Sequence, residues 1–125
     1  MSAPFARAIL DRLREVIEVR IETRSASDGT VHTAIIWVVV DDGGRVLVRS
    51  WRGATARWYR EAISGTEAAL ILDGARLPIT IERATDPDRI AACSAELERK
   101  YAGDPAARSM VREEILDTTF QVHPG

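Results

Sequence analysis

The spacing of hydrophobic positions changes period several times along the chain, and each change marks an element. Phe5, Ile9, Leu13, Val16 and Ile17 recur at helical spacing with Arg7, Asp11, Arg14, Glu15 and Glu18 between them. That pattern predicts a helix over Pro4–Val16. Ser2 or Ala3 is expected to cap it, with Pro4 in the first turn, where a missing N–H does no harm. The period then drops to two. Val19, Ile21 and Thr23 alternate with Glu18, Arg20, Glu22 and Arg24, as in a strand with one wet face. Ser25 to Gly29 has turn composition. Thr30 to Val40 is β-branched and aromatic and ends in the unbroken apolar run Ala34 to Val40. A strand apolar on both faces is buried on both faces, as at a barrel wall or a subunit interface. Asp41-Asp42-Gly43-Gly44 predicts a hairpin turn, and Arg45 to Trp51 the return strand. Val46, Val48 and Ser50 share one of its faces, and Arg45, Leu47, Arg49 and Trp51 the other.

Thr55 is expected to cap a short helix over Ala56–Ile63, which Ser64-Gly65 stops. Strands follow at Glu67–Leu72 and Arg76–Ala84 around the Asp73-Gly74 turn. Asp86-Pro87 opens a helix from Asp88 to about Tyr101, with Ile90, Cys93 and Leu97 in register. Gly103-Asp104-Pro105 breaks it, a further helix is expected over Ala106–Ile115, and Thr118–Val122 reads as the last strand. His123-Pro124-Gly125 looks like a tail. The count is about six strands, mostly joined by hairpins and therefore antiparallel. A small antiparallel sheet hides its edges by closing or being covered. The predicted fold class is mainly β with flanking helices (α+β), a small antiparallel barrel in one domain over residues 1–125.

Composition narrows the function classes. With 125 residues the chain is one domain. The seven-residue run at 34–40 is far short of the ~20 residues that span a bilayer. No secretory leader is visible, and one cysteine makes neither an internal disulfide nor a structural zinc site, so a cytoplasmic location is expected. Seventeen Lys+Arg against nineteen Asp+Glu give a net charge of −2, which argues against a general nucleic-acid partner. Sixteen of those cations are arginine and Lys100 is the only lysine, as codon bias in a GC-rich genome would produce. His32 and His123 stand at no metal-ligand spacing and form no motif with an acid or a serine, so no metal is expected. Cys93 reads as a small core hydrophobe and the acids of the last helices as a solvated face.

One segment carries candidate chemistry. Arg45 to Arg60 holds five arginines, no acid, and three of the seven aromatics. It combines a strand end, a loop at Gly53 and a helix start. A guanidinium matches phosphate in two bonds, and indole and phenol faces pack on a flat ring. Phosphate plus flat ring describes a nucleotide or a flavin-type ligand. The plain alternative is that Trp51, Trp58 and Tyr59 are core or interface aromatics and the arginines face solvent. Thr23-Arg24-Ser25, at another strand end, offers either a phosphate contact or simply a turn.

The order Glu22-Thr23-Arg24-Ser25, Thr33 to Trp37, Val48-Arg49-Ser50-x-Arg52-Gly53 and Arg57-Trp58-Tyr59-Arg60 resembles the split β-barrel flavin-binding superfamily. That group includes pyridoxamine phosphate oxidases and deazaflavin-dependent nitroreductases. Within it the chain looks most like a family of unknown function, DUF 2255, in which "IWVVV", "VRSxRG" and "WYR" recur in this order. Lys100-Tyr101 and the strand Thr118–Val122 fit the superfamily's last helix and closing strand. The resemblance implies a six-stranded antiparallel split β-barrel and a homodimer with FMN or the deazaflavin coenzyme F-420 at the subunit interface. It places Arg24, Ser25, Arg49, Ser50, Arg52 and Arg57 near the cofactor's anion, and Trp37, Trp58 and Tyr59 near its ring or the groove wall. The nitroreductase pattern has lysine at Ala26, proline at Ala34 and asparagine at Glu61. An acid at 61 beside a phosphate is unfavourable unless an arginine screens it.

The expectation is an oxidoreductase whose hydride chemistry is carried by the cofactor ring, so that Arg49→Ala weakens binding and leaves folding nearly intact. Two alternatives stand beside it. One is a non-catalytic binding or sensing protein on the same barrel, holding a cofactor, a haem breakdown product or another small flat anion, or no cofactor. The other is a dimer whose arginine cluster meets an acidic protein partner. No membrane partner is expected.

Overall fold

The computed structural model describes residues 4–65 and 67–125. Helix α1 spans Arg7–Glu15 and lays Leu13 into the core. It starts at Arg7, with Ala6 as the cap residue, rather than at Pro4, and the expected caps Ser2 and Ala3 lie outside the described residues. Strands β1 (Val19–Arg24) and β2 (Val31–Ile36) form the first hairpin. Strand β3 is only Val39–Val40 and pairs with β4 (Val46–Arg49). A 3₁₀ turn at Gly53–Thr55 leads into α2 (Arg57–Ile63). Strands β5 (Ala68–Leu72) and β6 (Ala75–Arg83), helices α3 (Pro87–Lys100) and α4 (Pro105–Met110), a second 3₁₀ segment (Glu113–Thr118) and β7 (Thr119–Pro124) complete the chain.

The sheet has seven strands, all paired antiparallel, in the order β2-β1-β5-β6-β7-β4-β3. The sequence predicts six. The difference lies in the run expected to be one strand over Thr30–Val40: Trp37 and Val38 leave the sheet and divide it into β2 and β3. These two strands are the outermost in the sheet order, yet only those two residues separate them. A flat seven-stranded sheet would hold its edges ~29 Å apart at the usual strand spacing. The chain from Ile36 to Val39 reaches at most ~11 Å. The sheet must therefore curl until its edges meet, and the 37–38 link is the seam of a split barrel.

Two apolar clusters lie on either side of the β3–β4 wall. Val40, Val46 and Val48 face the barrel interior with Ile21, Leu70, Phe120 and Val122. Val39 and Leu47 face outward onto Cys93, Leu97, Tyr101 and Met110 of the α3–α4 layer. The two-faced burial read from the unbroken run holds at its Val38–Val40 end, whereas Ile35, in β2, is 58% exposed. Two local expectations change. The helix expected over Ala106–Ile115 is α4 followed by a separate 3₁₀ segment, and His123-Pro124 belong to β7, with the Gly125 amide bonded to the Pro78 carbonyl at 2.8 Å.

The seam is pinned from α3. The Trp37 indole stacks on the Tyr101 ring at 3.7 Å between centroids, 7° from parallel. Lys100 Nζ donates to the Val38 carbonyl at 2.7 Å and to the Leu13 carbonyl at 2.9 Å. The Tyr101 hydroxyl donates to the Ile17 carbonyl at 2.6 Å. Burial lowers the Lys100 ammonium from 10.5 to about 8 and raises the Tyr101 hydroxyl above its ordinary value. Between about 8 and 10.5 the unfolded chain keeps a proton that folded Lys100 has released, so this group alone adds stability as pH rises through that window. The Cys93 thiol, raised from 9.0 to about 11 by burial, acts with the opposite sign between those values. Because Lys100 is the only lysine, its side-chain carbon resonance in an NMR titration is unambiguous. We expect a midpoint near 8 in the folded protein and a return to the ordinary lysine range in urea.

Candidate functional site

A groove of about 530 Å³ opens between β2 and the chain from Trp51 to Arg60. Its walls carry three tryptophans, Trp37, Trp51 and Trp58, and four arginines, Arg49, Arg52, Arg57 and Arg60, with no aspartate or glutamate among the lining residues. The chain as a whole is net negative, so the positive charge is concentrated locally, which raises the local concentration of anions.

The segment is shaped from the sequence upward. Gly53 sits at φ +68° and a Cβ there would meet Ile115 Cγ2 at 3.3 Å, so glycine suits both the backbone and the space. Its amide donates to the Ser50 carbonyl at 3.1 Å and its carbonyl accepts from Ser50 Oγ at 2.8 Å. This tight turn projects Trp51 and Arg52 outward. Thr55 does not cap α2: its hydroxyl donates to the Arg52 carbonyl at 2.9 Å, and Ala56 is the cap residue. The turn is thereby locked to the loop that bears Arg52.

Apart from Arg49, the residues expected at the site divide into three groups. Arg52, Arg57, Trp37 and Trp58 come together on the groove. Tyr59 and Ser50 do not line it. Tyr59 is buried and stacks on Phe120 at 5.2 Å, while Ser50 is fully buried in the Gly53 turn. Arg24 and Ser25 lie outside the groove at the β1–β2 turn. Arg24 sits 3.5 Å from Glu67, and Ser25 Oγ is 2.9 Å from Ser27 Oγ.

Arg49 belongs to both the groove and the frame. It is the largest fully buried side chain, 1% exposed. Nε donates to Thr119 Oγ1 at 2.8 Å, one Nη to Ser94 Oγ at 2.9 Å and the Met110 carbonyl at 3.0 Å, and the other to the Ile90 carbonyl at 3.0 Å. Four of its five donors are thus used on β7, α3 and α4. No carboxylate pairs with it among the described residues, and burial lowers its pKa. It reaches the groove as a fixed positive floor rather than as a mobile ligand.

Two features escaped the sequence. Trp51 is 53% exposed and Arg60 lines the groove beside Arg57. Arg52, Arg57 and Arg60 have no ion-pair partner among the described residues. His32 and Glu61, 29 positions apart, meet at the end of the groove with Nδ1 to Oε2 at 2.9 Å. The imidazole gives the acid at 61 a hydrogen-bond partner. No local pattern announces this pair, because its members are joined only by the packing of α2 on the β1–β2 hairpin. The buried thiol of Cys93, raised to about 11, is the core residue the sequence suggests. No group of three or more metal-binding side chains occurs among the described residues, and no helix of these residues is long and apolar enough to cross a membrane.

Comparisons with known proteins agree with the fold. A family model described as "Uncharacterized protein conserved in bacteria (DUF2255)" matches residues 9–122. Among curated proteins no significant match is found. Among solved structures, the FAD binding protein from Mycobacterium smegmatis is similar at 21% identity, covering 99% of this chain and 92% of that one, with a TM-score of 0.59. HutZ, the heme storage protein from Vibrio cholerae, is similar at 13% identity, with 98% and 92% covered and a TM-score of 0.61. ChuZ from Campylobacter jejuni gives a TM-score of 0.74 at 10% identity, covering 94% of this chain and 52% of that one, so this chain spans about half of ChuZ.

The Arg49 network corrects the expectation that Arg49→Ala spares folding. Truncation leaves two carbonyls and two hydroxyls without their donor in a closed interior. We expect a loss of ~3 kcal/mol or more in urea unfolding. Thr55→Ala, at an exposed hydroxyl, should cost below ~1 kcal/mol in the same experiment.

Proposed function

We propose a function for a chain that belongs to the DUF2255 family of bacterial proteins: it binds a flat, anionic ring cofactor of the flavin class in the groove between β2 and the 51–60 segment. The observation that carries this reading is the convergence of three tryptophans and four arginines on one groove without an acid. Indole faces pack on a planar heterocycle, and guanidinium groups bind phosphate oxygens in pairs. Trp51, Trp58 and Trp37 would face the ring, and Arg52, Arg57 and Arg60 the phosphate. Arg49 adds fixed charge beneath them. FMN and the deazaflavin coenzyme F-420 both have this chemistry, and such a ring supplies hydride transfer when bound. The resulting activity is that of an oxidoreductase.

A second copy of the chain would complete the site. β2 pairs with β1 alone, and its Ile35, 58% exposed, lies on the groove wall near the exposed Trp51. Apolar exposure beside an unpaired strand edge is what a partner subunit covers. Sedimentation should then give twice the 13.8 kDa chain mass, and Ile35→Lys should shift the protein to monomer.

Haem is the second reading. It too is a flat dianion, and a heme storage protein shares the fold. Titration of the purified protein with FMN, F-420 and hemin, followed by ring fluorescence or absorption, separates them. We expect saturable micromolar binding of a flavin-type ring, weakened ~10-fold by Arg52→Ala or Arg57→Ala with the thermal midpoint unchanged. One charge-assisted hydrogen bond corresponds to that factor. Absence of saturable binding to all three would overturn the reading, and binding of hemin alone would replace the flavin with haem.

A further inference from the structure

The strongest group of side chains outside the arginines lies at the groove's end. His32 on β2 stands opposite Thr23 on β1, and Glu61 reaches both from α2. The Thr23 hydroxyl donates to Glu61 Oε1 at 2.8 Å. His32 Nδ1 lies 3.1 Å from Oε1 and 2.9 Å from Oε2. Glu61 is 9% exposed and Thr23 fully buried. A carboxylate gripping Nδ1 fixes the ring and places a hydrogen on that nitrogen, so the remaining chemistry of the imidazole is at Nε2. No partner for Nε2 exists among the described residues.

His32 also occupies a junction. It lines the tryptophan–arginine groove and a second, shallower depression of about 430 Å³ bordered by Ser25, Ser27, Arg57, Arg60, Glu61 and Ser64. The arginines there stand on long side chains, whereas the imidazole is held at two contacts. A fixed imidazole nitrogen between the ring-binding groove and this depression is placed to read where a ring ligand's charge begins.

We propose that His32 is a specificity-determining residue of this site: protonated at Nε2 and oriented by Glu61, it donates to the phosphate of the ring ligand, so that the site selects phosphorylated over uncharged rings and couples binding to a proton on His32. This rests on the groove reading of the preceding subsection and adds which residue senses the anion.

The sign follows from the charges around the imidazole. Glu61, Arg57 and Arg60 face it from α2, Thr23 from β1, and Asp28 from the β1–β2 turn. Hydrogen bonds from Thr30 and Ser25, and the nearby His32, hold the Asp28 carboxyl below the ordinary carboxylate range, so it stays ionised at neutral and alkaline pH. The arginines keep their charge throughout. Histidine is the side chain whose ordinary charge change falls between pH 5 and 8, and a phosphate monoester takes its own second proton near pH 6. Between pH 9 and 6.5 the phosphate is therefore largely dianionic, and lowering the pH tightens its binding.

The test measures dissociation constants of FMN and riboflavin between pH 9 and 6.5 for the intact protein, His32→Gln and Glu61→Gln. Glutamine at 32 keeps a hydrogen-bond donor for Glu61 without a titrating charge. We expect FMN to bind ~10-fold more tightly at pH 6.5 than at pH 9 and riboflavin to show no trend. His32→Gln should abolish the FMN trend, with an unchanged thermal midpoint reporting an intact fold. Glu61→Gln should weaken FMN more than riboflavin, because the imidazole loses its orientation. A flat FMN profile with riboflavin still bound, or the same slope in His32→Gln, overturns this inference and leaves the groove reading standing. Failure of both flavins to bind at every pH overturns the two together.

Discussion

Closure of the sheet is the constraint from which the rest follows. Two residues separate the outermost strands, so β2 and β3 are held together covalently and every other strand must curve to suit. Closure creates an inside and an outside. The inside takes Val48, Phe120 and Val122, and the outside takes the α3–α4 layer against Val39 and Leu47. It also fixes where the groove lies, because Trp37 at the seam is both a stacking partner of Tyr101 and part of the groove wall. The frame and the candidate site therefore share a residue at the point where the barrel is joined.

A second shared residue, Arg49, shows how a small protein keeps charge inside. An isolated buried cation is costly. Here the cost is offset by four neutral acceptors from three different elements, two of them backbone carbonyls. An acid would have satisfied Arg49 more simply, but it would also have neutralised the groove floor. Carbonyl and hydroxyl acceptors stabilise the guanidinium and leave its charge uncancelled. The outer arginines then add charge where solvent screening makes it inexpensive, on side chains free to adapt.

Much of this was legible in the residues. The alternation at 18–24, the turn at 41–44 and the apolar run at 34–40 locate the strands because each reports burial on one or two faces. The run hid its own break, however. Trp37 and Val38 are as apolar as their neighbours, since the seam is buried too, and only sheet closure decides that they leave the ladder. The arginine–tryptophan segment was legible as a group because its members are close in sequence. Which of them face the groove was not: Trp58 and Tyr59 are adjacent on α2, yet only Trp58 lines it. Arg49 and Arg52 look alike in sequence and differ completely in burial, since β4 points one into the α3–α4 layer and the turn points the other outward. His32 and Glu61 carried no signal, as long-range pairs without a motif do not.

Arginine fills sixteen of the seventeen cationic positions, so the one exception invites a reason beyond codon usage. Lys100 must satisfy two carbonyls from separate segments, Leu13 and Val38, beneath an aromatic ring 5.3 Å away. A compact ammonium with tetrahedral donors suits that space, and a broad planar fork does not. The lone lysine is thus a clasp between the first helix and the barrel's joint, one ammonium holding a carbonyl from each.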